Sequence, residues 1–220
     1  MELPTVNRFR IKRGEMLQKL IEQVSDSLER NIVILDIGGR PDYWDNVGFS
    51  RIAKIELVTN DEGEVKRNHP SGMPKGMMNF RIGDACDLSA YADQSVDLVH
   101  SNSVIEHVGN WEAMVAMANE VQRVGRSGWI QTPAWEFPLE PHFRLPFMHW
   151  FGRPIQTWMV YYSPPWRGRR NDLYVRRHRV ERVNLLSKSE TQALFPGKPV
   201  YVERTFLLPK SYTIYWSNYA

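Results

Sequence analysis

Apolar residues in the first part of the chain follow two different spacings. The segment 32–35 is a short apolar run of the kind typical of a buried strand in a parallel sheet, and the runs at 52–59, 78–82, 96–100 and 128–132 are further predicted strands. Helical spacing before residue 30 predicts an amphipathic helix with the inner face Met16, Leu17, Leu20, Ile21, Val24 and Leu28. Between the last two runs, helical spacing predicts a second helix with the inner face Trp111, Met114, Val115, Ala118, Val121 and Val124.

This regular pattern ends after residue 132. Residues 134–166 hold ten aromatic residues and six prolines and follow neither helical nor strand spacing, so we predict that they form a folded cap. Regular spacing returns at 185–195, where Ser187 and Glu190 match a helix-capping pattern. Two final strands are predicted at 200–207 and 212–216. Most of the cap aromatics are expected to form a small core of their own.

Strands that alternate with helices up to residue 132 predict an α/β fold. The expected architecture is a Rossmann-like, doubly wound and mostly parallel seven-stranded sheet, with the aromatic-rich cap inserted after strand 5. All 220 residues are expected to form a single domain. Ligands of such sheets bind beyond the carboxyl ends of the strands, so the residues that follow each strand are the first candidates for a site.

The composition excludes several protein classes. Hydrophobic residues make up 42% and charged residues 24% of the chain, values that exclude wholesale disorder. The one cysteine, Cys86, excludes an internal disulfide framework and a cysteine-based zinc cluster, and we predict no metal ligands. No apolar run approaches the roughly 20 residues of a membrane span, and residues 1–13 lack the apolar region of a signal peptide. A cytoplasmic protein is therefore expected.

Positive charge is concentrated in the last third of the chain. Residues 1–150 carry 16 Lys and Arg against 21 Asp and Glu, whereas residues 151–220 carry 12 against 4. The excess lies at 166–170 and 176–179, with the cations Arg167, Arg169, Arg170, Arg176, Arg177 and Arg179. Such a patch favours an anionic partner, either phosphate, nucleic acid or an anionic membrane surface, and a solvated basic surface is the alternative.

The segment after the first strand, residues 36–41, reads DIGGRP. It matches neither the G-x-G-x-x-G motif of dinucleotide-binding folds nor the G-x-x-x-x-G-K-[ST] phosphate loop, so NAD and ATP are weak candidates. The two glycines let the backbone approach a ligand closely, and the carboxylate of Asp36 can face a positively charged ligand group.

Further segments follow the later strands in order: GDA at 83–85, SNSVIEHV at 101–108 and EVQRVGRSG at 120–128. Together with ILDIGG at 34–39, they resemble class I S-adenosylmethionine-dependent methyltransferases of the methyltransferase-11 type. TPAWEFPLEPHF at 132–143 and LLSKSETQALFP at 185–196 extend the resemblance to a subgroup over nearly the whole chain. The resemblance implies a methyltransferase with S-adenosylmethionine as its cofactor.

The resemblance implies a set of cofactor contacts: Asp36, Gly38, Gly39, Asn60, Asp61, Asp84, Ala85, Ser101 and Asn102. Asp36 and Gly38 would lie beside the methionine part, and Asp84 would accept the adenine amino group. The residue that holds the ribose is left open between Asn60 and Asp61. Arg40 stands where the family has a third glycine. The chain is then divided into an N-terminal helical segment (1–30), a cofactor-binding half (31–132), a cap and acceptor-binding insertion (133–184) and a C-terminal helix with the final strands (185–220).

Methyl transfer to a hydroxyl gains from a general base, and histidine suits this role near neutral pH. His142 is the first candidate because it follows strand 5 in a proline-rich turn where the acceptor pocket is expected, and Glu140 can orient it. His149 is the second. The alternative for both is a structural histidine of the cap. For His107, which follows Glu106, the structural role is favoured.

The first functional hypothesis is methyl transfer, most simply to oxygen, on a small-molecule, glycan-linked or lipid-linked acceptor. Peripheral contact with the inner, anionic face of a membrane would extend the expected cytoplasmic location. An RNA methyltransferase that uses the arginine-rich patch is the second hypothesis. It is disfavoured because SNSV at 101–104 is not an N-P-P-Y-type motif and because basic and aromatic residues are segregated. A cofactor-binding partner subunit without catalysis is the third.

Overall fold

One seven-stranded sheet organises the chain, for which the computed structural model describes residues 8–60, 63, 73–166 and 172–219. The strand order is β3-β2-β1-β4-β5-β9-β8. Neighbours among β1–β5 are parallel, and β9 runs antiparallel to both β5 and β8. This confirms the predicted fold class. The strands are β1 (Ile32–Ile37), β2 (Ile52–Thr59), β3 (Met78–Ile82), β4 (Val96–Asn102), β5 (Gly125–Pro133), β8 (Val200–Thr205) and β9 (Leu208–Ser217), and a separate hairpin holds β6 (Leu139–Glu140) and β7 (Leu145–Pro146).

Helices cover the sheet and build the region after β5. They are α1 (Arg8–Leu28), α2 (Trp111–Val124), α3 (Arg153–Met159), α4 (Leu173–Glu181) and α5 (Lys188–Leu194). Asn110 caps α2 by accepting a hydrogen bond from the backbone N–H of Ala113. Ser187 and Glu190 form the predicted capping box at the start of α5. Among the described helices, none combines the length and apolar character needed to cross a membrane.

Two apolar cores lie against the sheet. One contains the inner face of α1 with Leu17, Ile21 and Val24, together with Trp44 and Trp129. The other is built from α2, α5 and sheet residues, including Met117, Val121, Phe195 and Trp216. Both cores have side chains with no solvent exposure, and burial of this kind supplies the main favourable free energy of folding.

The polar ends of several strands extend further than the apolar runs. Strand β1 includes Asp36, and β4 continues through Ser101 to Asn102. These residues stay in the sheet because Asp36 pairs with His100 of β4, and Asn102 pairs with Gln131 of β5. Backbone pairing rather than side-chain polarity decides where a strand ends.

The region after β5 has a small apolar core of its own, which contains Phe143, Met148, Val160 and Val180. Among the described side chains, Phe143 is the one aromatic residue in it. The expectation that most cap aromatics form this core is wrong, because seven of them are 40–60% exposed: Trp135, Phe147, Trp150, Phe151, Trp158, Tyr161 and Tyr162. Short helices and a two-stranded hairpin leave too little inner surface for so many rings.

Candidate functional site

The carboxyl ends of β1–β4 meet at one edge of the sheet. Ile37 of β1 lies opposite Val58 of β2 and Ser101 of β4. Thr59, the last residue of β2, lies opposite Ile82, the last residue of β3. The segments that follow these strands therefore lie side by side, which is the position where doubly wound sheets bind ligands.

Four of the predicted cofactor residues lie at this edge. Gly38, Asn60 and Asp84 are exposed after β1, β2 and β3. Asn102 ends β4, and its side-chain Oδ1 is buried without a hydrogen-bond partner among the described residues. A buried acceptor without a partner is costly, so this oxygen is suited to a ligand donor.

Gly38 has a backbone conformation that only glycine adopts easily. Its φ is +60°, and an added Cβ would lie 2.8 Å from the side chain of Val104. Its N–H donates to the carbonyl of Val58 at 2.7 Å, which fixes the loop against β2. The backbone at Gly38 therefore stays bare at the open edge.

Asp36 lies inside the fold, below this loop. Its Oδ1 lies 2.6 Å from Nδ1 of His100, and its Oδ2 accepts a 2.9 Å hydrogen bond from Nε1 of Trp44. The carboxylate was expected to face a ligand at the open edge. It has no solvent exposure and instead lies inside the fold. The reason is that the buried N–H groups of Trp44 and His100 need an acceptor. Gly39 makes room for it, since a Cβ there would lie 2.0 Å from the carboxylate.

Of the remaining predicted cofactor residues, Ser101 and Ala85 are less exposed than those at the open edge. Ser101 is buried and donates its hydroxyl to the carbonyl of Ile37 at 3.3 Å, which joins β4 to β1. Ala85 is half-buried and packs against the core next to α2. Asp61 lies outside the described residues. Their proposed contacts with the cofactor stay predictions.

A cluster of four ionisable side chains lies beyond the ends of β4 and β5. His142 is in the turn of the β6–β7 hairpin, and its Nδ1 lies 2.7 Å from Oε1 of Glu140. Its Nε2 lies 3.0 Å from Nε2 of His107 and 3.9 Å from Oε1 of Glu106. Glu106 and His107 belong to a short 3-10 helix directly after β4. The structure therefore brings the predicted pair His142 and Glu140 together with Glu106 and His107, which follow β4.

Burial and charge shift the pKa values of this cluster. Burial raises the pKa of Glu106 to about 7. Burial also lowers the pKa of His107, and the neighbouring His142 adds to this effect. For His142, burial opposes the imidazolium, but the hydrogen bond and charge of Glu140 outweigh it and raise the pKa above its usual value near 6.5. His142 therefore holds a proton more readily than His107 does.

His149 lies apart from the cluster, beside a pocket of about 510 Å³ that also contacts Trp111, Trp135 and Asn184. Its Nε2 bonds to the carbonyl of Trp135 at 2.8 Å, and burial lowers its pKa. Its other ring nitrogen, Nδ1, is buried and has no hydrogen-bond partner within the part of the chain that the structure describes.

Sequence reasoning missed the roles of two residues. Glu106 was weighed only as the neighbour of His107, yet its side chain is fully buried. A carboxylate between the apolar residues Ile105 and Val108 was the available signal. His100 ends the run predicted at 96–100, and its pairing with Asp36 could be found only from the register of β1 and β4.

The amino-acid sequence matches one family model, described as a methyltransferase domain, over residues 38–130. This match confirms the resemblance that the motifs carried. No curated protein matches the chain in sequence.

Several solved structures share the fold. Magnesium protoporphyrin IX methyltransferase from Synechocystis PCC 6803 with bound SAH is 13% identical, with a TM-score of 0.52, over 98% of this chain and 90% of that one. A SAM-dependent methyltransferase from Methanosarcina mazei is 14% identical, with a TM-score of 0.51, over 88% and 95%. Monomeric WbdD is 14% identical, with a TM-score of 0.55, over 94% of this chain, which spans 41% of that chain.

Proposed function

The chain carries an S-adenosylmethionine-dependent methyltransferase domain, and we propose that it transfers the methyl group to a hydroxyl oxygen of a small-molecule, glycan-linked or lipid-linked acceptor. The observation that carries this proposal is the position of His142. Its imidazole is oriented by Glu140 at 2.7 Å and is 25% exposed, beyond the ends of β4 and β5. A partly exposed, oriented imidazole beside a ligand-binding edge is suited to proton transfer.

The residues at the open edge fit S-adenosylmethionine. Gly38 leaves bare backbone, Asn102 offers a buried acceptor without a partner, and Asp84 presents an exposed carboxylate. We propose that Gly38 and Asn102 hold the methionine part and that Asp84 accepts the adenine amino group. Asn60 at the end of β2 would bind the ribose. The cofactor supplies a methyl group that is activated by a positively charged sulfur.

His142 has a defined part in the transfer. A hydroxyl is a weak nucleophile until it loses its proton, so a base raises the rate by about 10²–10⁴-fold. With the cofactor bound, Nε2 of His142 would take the hydroxyl proton as the acceptor oxygen gains the methyl group. Glu140 stabilises the resulting imidazolium through Nδ1. The positions of both groups in one hairpin keep this pair rigid.

Exposed aromatic residues on the cap support a lipid-linked acceptor at a membrane surface. Trp158 and Tyr161 each have a ring centroid 5.1 Å from that of Tyr162, and the guanidinium of Arg176 lies 5.9 Å from the ring of Tyr161. We call these four residues the cap face. Its three aromatic side chains are 48–60% exposed. Aromatic rings beside arginines are suited to the interface of an anionic membrane.

Methyl-labelled cofactor tests the proposed function directly. The protein is incubated with labelled S-adenosylmethionine and with separated lipid, glycan, small-molecule and RNA fractions of a cell extract. We expect label in one of the first three, on a group that resists alkaline hydrolysis as an ether does. Label in RNA alone would support the RNA methyltransferase instead. A folded Gly38→Val variant, in which a side chain fills the cofactor edge, is the negative control.

A further inference from the structure

The cluster of Glu106, His107 and His142 has the composition and convergence of a metal site. One ligand atom from each residue lies within 4.8 Å of the ligand atoms of the other two. We infer that these three side chains bind a divalent transition-metal ion of the kind that prefers imidazole ligands, such as Zn²⁺ or Co²⁺. The ligands come from two separate segments, the turn after β4 and the β6–β7 hairpin.

The hydrogen atoms of the two imidazoles leave both Nε2 atoms electron-rich. Nδ1 of His107 lies 3.0 Å from the carbonyl oxygen of Arg182, which can only accept, so Nδ1 carries the hydrogen. Nδ1 of His142 likewise donates to the carboxylate of Glu140. With one hydrogen on each neutral ring, two Nε2 lone pairs face each other at 3.0 Å. This approach is repulsive unless a proton or a metal ion lies between the two nitrogens.

Glu106 adds a third electron-rich atom. Its Oε2 accepts a hydrogen bond from the hydroxyl of Thr132 at 3.1 Å, whereas its Oε1 is buried and has no partner among the described residues. That free oxygen lies 3.9 Å from Nε2 of His142. A fully buried carboxylate oxygen without a donor is costly, and a bound cation would remove the cost.

The outer contacts are those of a supported metal site. Histidine ligands in proteins usually donate their second N–H to a carboxylate or a backbone carbonyl, which fixes the ring. Here the carboxylate of Glu140 accepts from His142, and the carbonyl of Arg182 accepts from His107. Ligand atoms around a tetrahedral zinc ion lie about 3.3 Å apart, and the observed 3.0 and 3.9 Å lie on either side of that spacing. Two nitrogen ligands favour zinc-like ions over Mg²⁺.

The site keeps an open side. Glu106 is fully buried, whereas His142 is partly exposed and His107 is exposed. A site with three protein ligands and an open position can take water or a substrate oxygen as its fourth ligand. This part of the inference rests on the proposed function: an acceptor hydroxyl bound there would lose its proton more readily, so the ion would take over the activating role of the free His142 imidazole.

Metal binding is tested without methyl transfer. Untagged protein, stripped with a chelator, is titrated with Zn²⁺ by calorimetry and with Co²⁺ by visible absorption, and Mg²⁺ serves as the comparison ion. We expect one bound Zn²⁺ or Co²⁺ per chain and at least about 10-fold weaker binding of Mg²⁺. Glu106→Gln and His107→Ala should each weaken Zn²⁺ binding by about 10²-fold. His178→Ala, at an exposed histidine stacked on Tyr174, is the matched control and should bind normally.

The outcomes separate this inference from the proposed function. Zn²⁺ binding that is absent in the wild type, or unchanged in a folded Glu106→Gln variant, overturns the metal site and leaves the free imidazole of His142 as the proposed base. Normal Zn²⁺ binding without methyl transfer to any acceptor fraction would contradict the proposed function alone. Far-ultraviolet circular dichroism confirms the fold of each variant. His107→Ala, at an exposed position, remains informative if Glu106→Gln is unstable.

Discussion

Nε2 of His107 lies 3.0 Å from Nε2 of His142, although 35 positions separate the two residues in the chain. The turn after β4 brings one ring and the β6–β7 hairpin brings the other. Each ring is fixed by an acceptor at its Nδ1, so neither can rotate away without losing a hydrogen bond. The metal proposal depends on this relationship, whereas the methyl-transfer proposal depends on His142 and its contact with Glu140. The two proposals differ in whether a proton or a metal ion is bound at Nε2 of His142.

Replacement of His142 tests the transfer step. We expect His142→Ala to lower kcat by about 10²-fold or more, because the acceptor loses the group that activates its hydroxyl. The affinity for S-adenosylhomocysteine should stay within a few fold, since the predicted cofactor residues lie on other segments. Single-turnover kinetics and calorimetry measure the two effects. His149→Ala is the comparison, and a loss of kcat in that variant alone would assign the base to His149.

Asp84 tests the orientation of the cofactor. If its exposed carboxylate accepts the adenine amino group, Asp84→Ala should weaken S-adenosylhomocysteine binding by about 1–3 kcal/mol. Asp87→Ala is a matched control, because the side chain of Asp87 is also exposed and accepts a local hydrogen bond from the N–H of Ser89. Calorimetry measures both variants. Equal affinity of a folded Asp84→Ala variant and the wild type would show that another residue receives the adenine.

Cys86 provides a pH-dependent test near the same edge. Burial, followed by the charge of Asp84, raises the pKa of this thiol to about 11. The reactive thiolate is therefore scarce below pH 11. Alkylation by iodoacetamide at pH 8 should be about 10²-fold slower than for a free thiol and should accelerate as the pH rises. Asp84→Asn should increase the rate. Mass spectrometry measures the alkylation of Cys86 without interference, because the chain has one cysteine. An alkylation rate equal to that of glutathione would contradict the burial of the thiol.

Glu106 should make the stability of chelated protein depend on pH. Burial raises its pKa to about 7 in the folded state, above the usual value near 4.5. The folded protein therefore holds a proton that the unfolded chain has lost between these pH values. This contribution is fully present below pH 4.5 and is lost as the pH rises through about 7.

Urea unfolding at pH 5 and pH 8.5 measures this contribution. The wild type should lose about 1–3 kcal/mol more stability over this interval than Glu106→Gln, which cannot ionise. Glu112→Gln, at an exposed position on α2, should behave like the wild type. A chelator is present throughout so that a bound ion does not hold the carboxylate. Equal pH dependence of wild type and Glu106→Gln would mean that Glu106 is ionised at pH 5 in the folded protein.

Vesicle binding tests the cap face. Sedimentation with phosphatidylcholine vesicles that contain anionic phosphatidylserine should show binding that falls with added salt. The double variant Trp158→Ser, Tyr162→Ser should weaken vesicle binding by about 10-fold, because it removes two exposed aromatic rings that would contact the membrane interface. Arg176→Ser with Arg177→Ser should act similarly on anionic vesicles alone. The sequence-predicted cations Arg167, Arg169 and Arg170 lie outside the described residues.

A control for this experiment is Phe206→Ser. Phe206 is 95% exposed at the turn between β8 and β9 and is not part of the cap face, so its loss should leave vesicle binding unchanged. If this variant alone detaches the protein, the turn rather than the cap is the membrane contact. If wild-type protein ignores anionic vesicles at low salt, the cap face is a solvated surface.

The sequence alone determined the fold class and the positions of several strands. The apolar residues within 52–59 and 78–82 placed β2 and β3 at the residues where the structure has them, although Met78 is the one buried residue of β3. The motif order was sufficient for the methyltransferase resemblance, which the family match over residues 38–130 confirms. Ser187 and Glu190 indicated the start of α5, because a capping box depends only on residues four positions apart or fewer.

Only the tertiary structure decided which polar groups are buried and which face each other. Asp36 looked like a ligand contact until the register of β1 and β4 placed it against His100 inside the fold. The facing of His107 and His142, and the burial of Glu106, depend on a hairpin and a turn that are far apart in the chain. Periodicity describes one element at a time, whereas long-range packing sets the surroundings of a charge, and here it made these groups into a site.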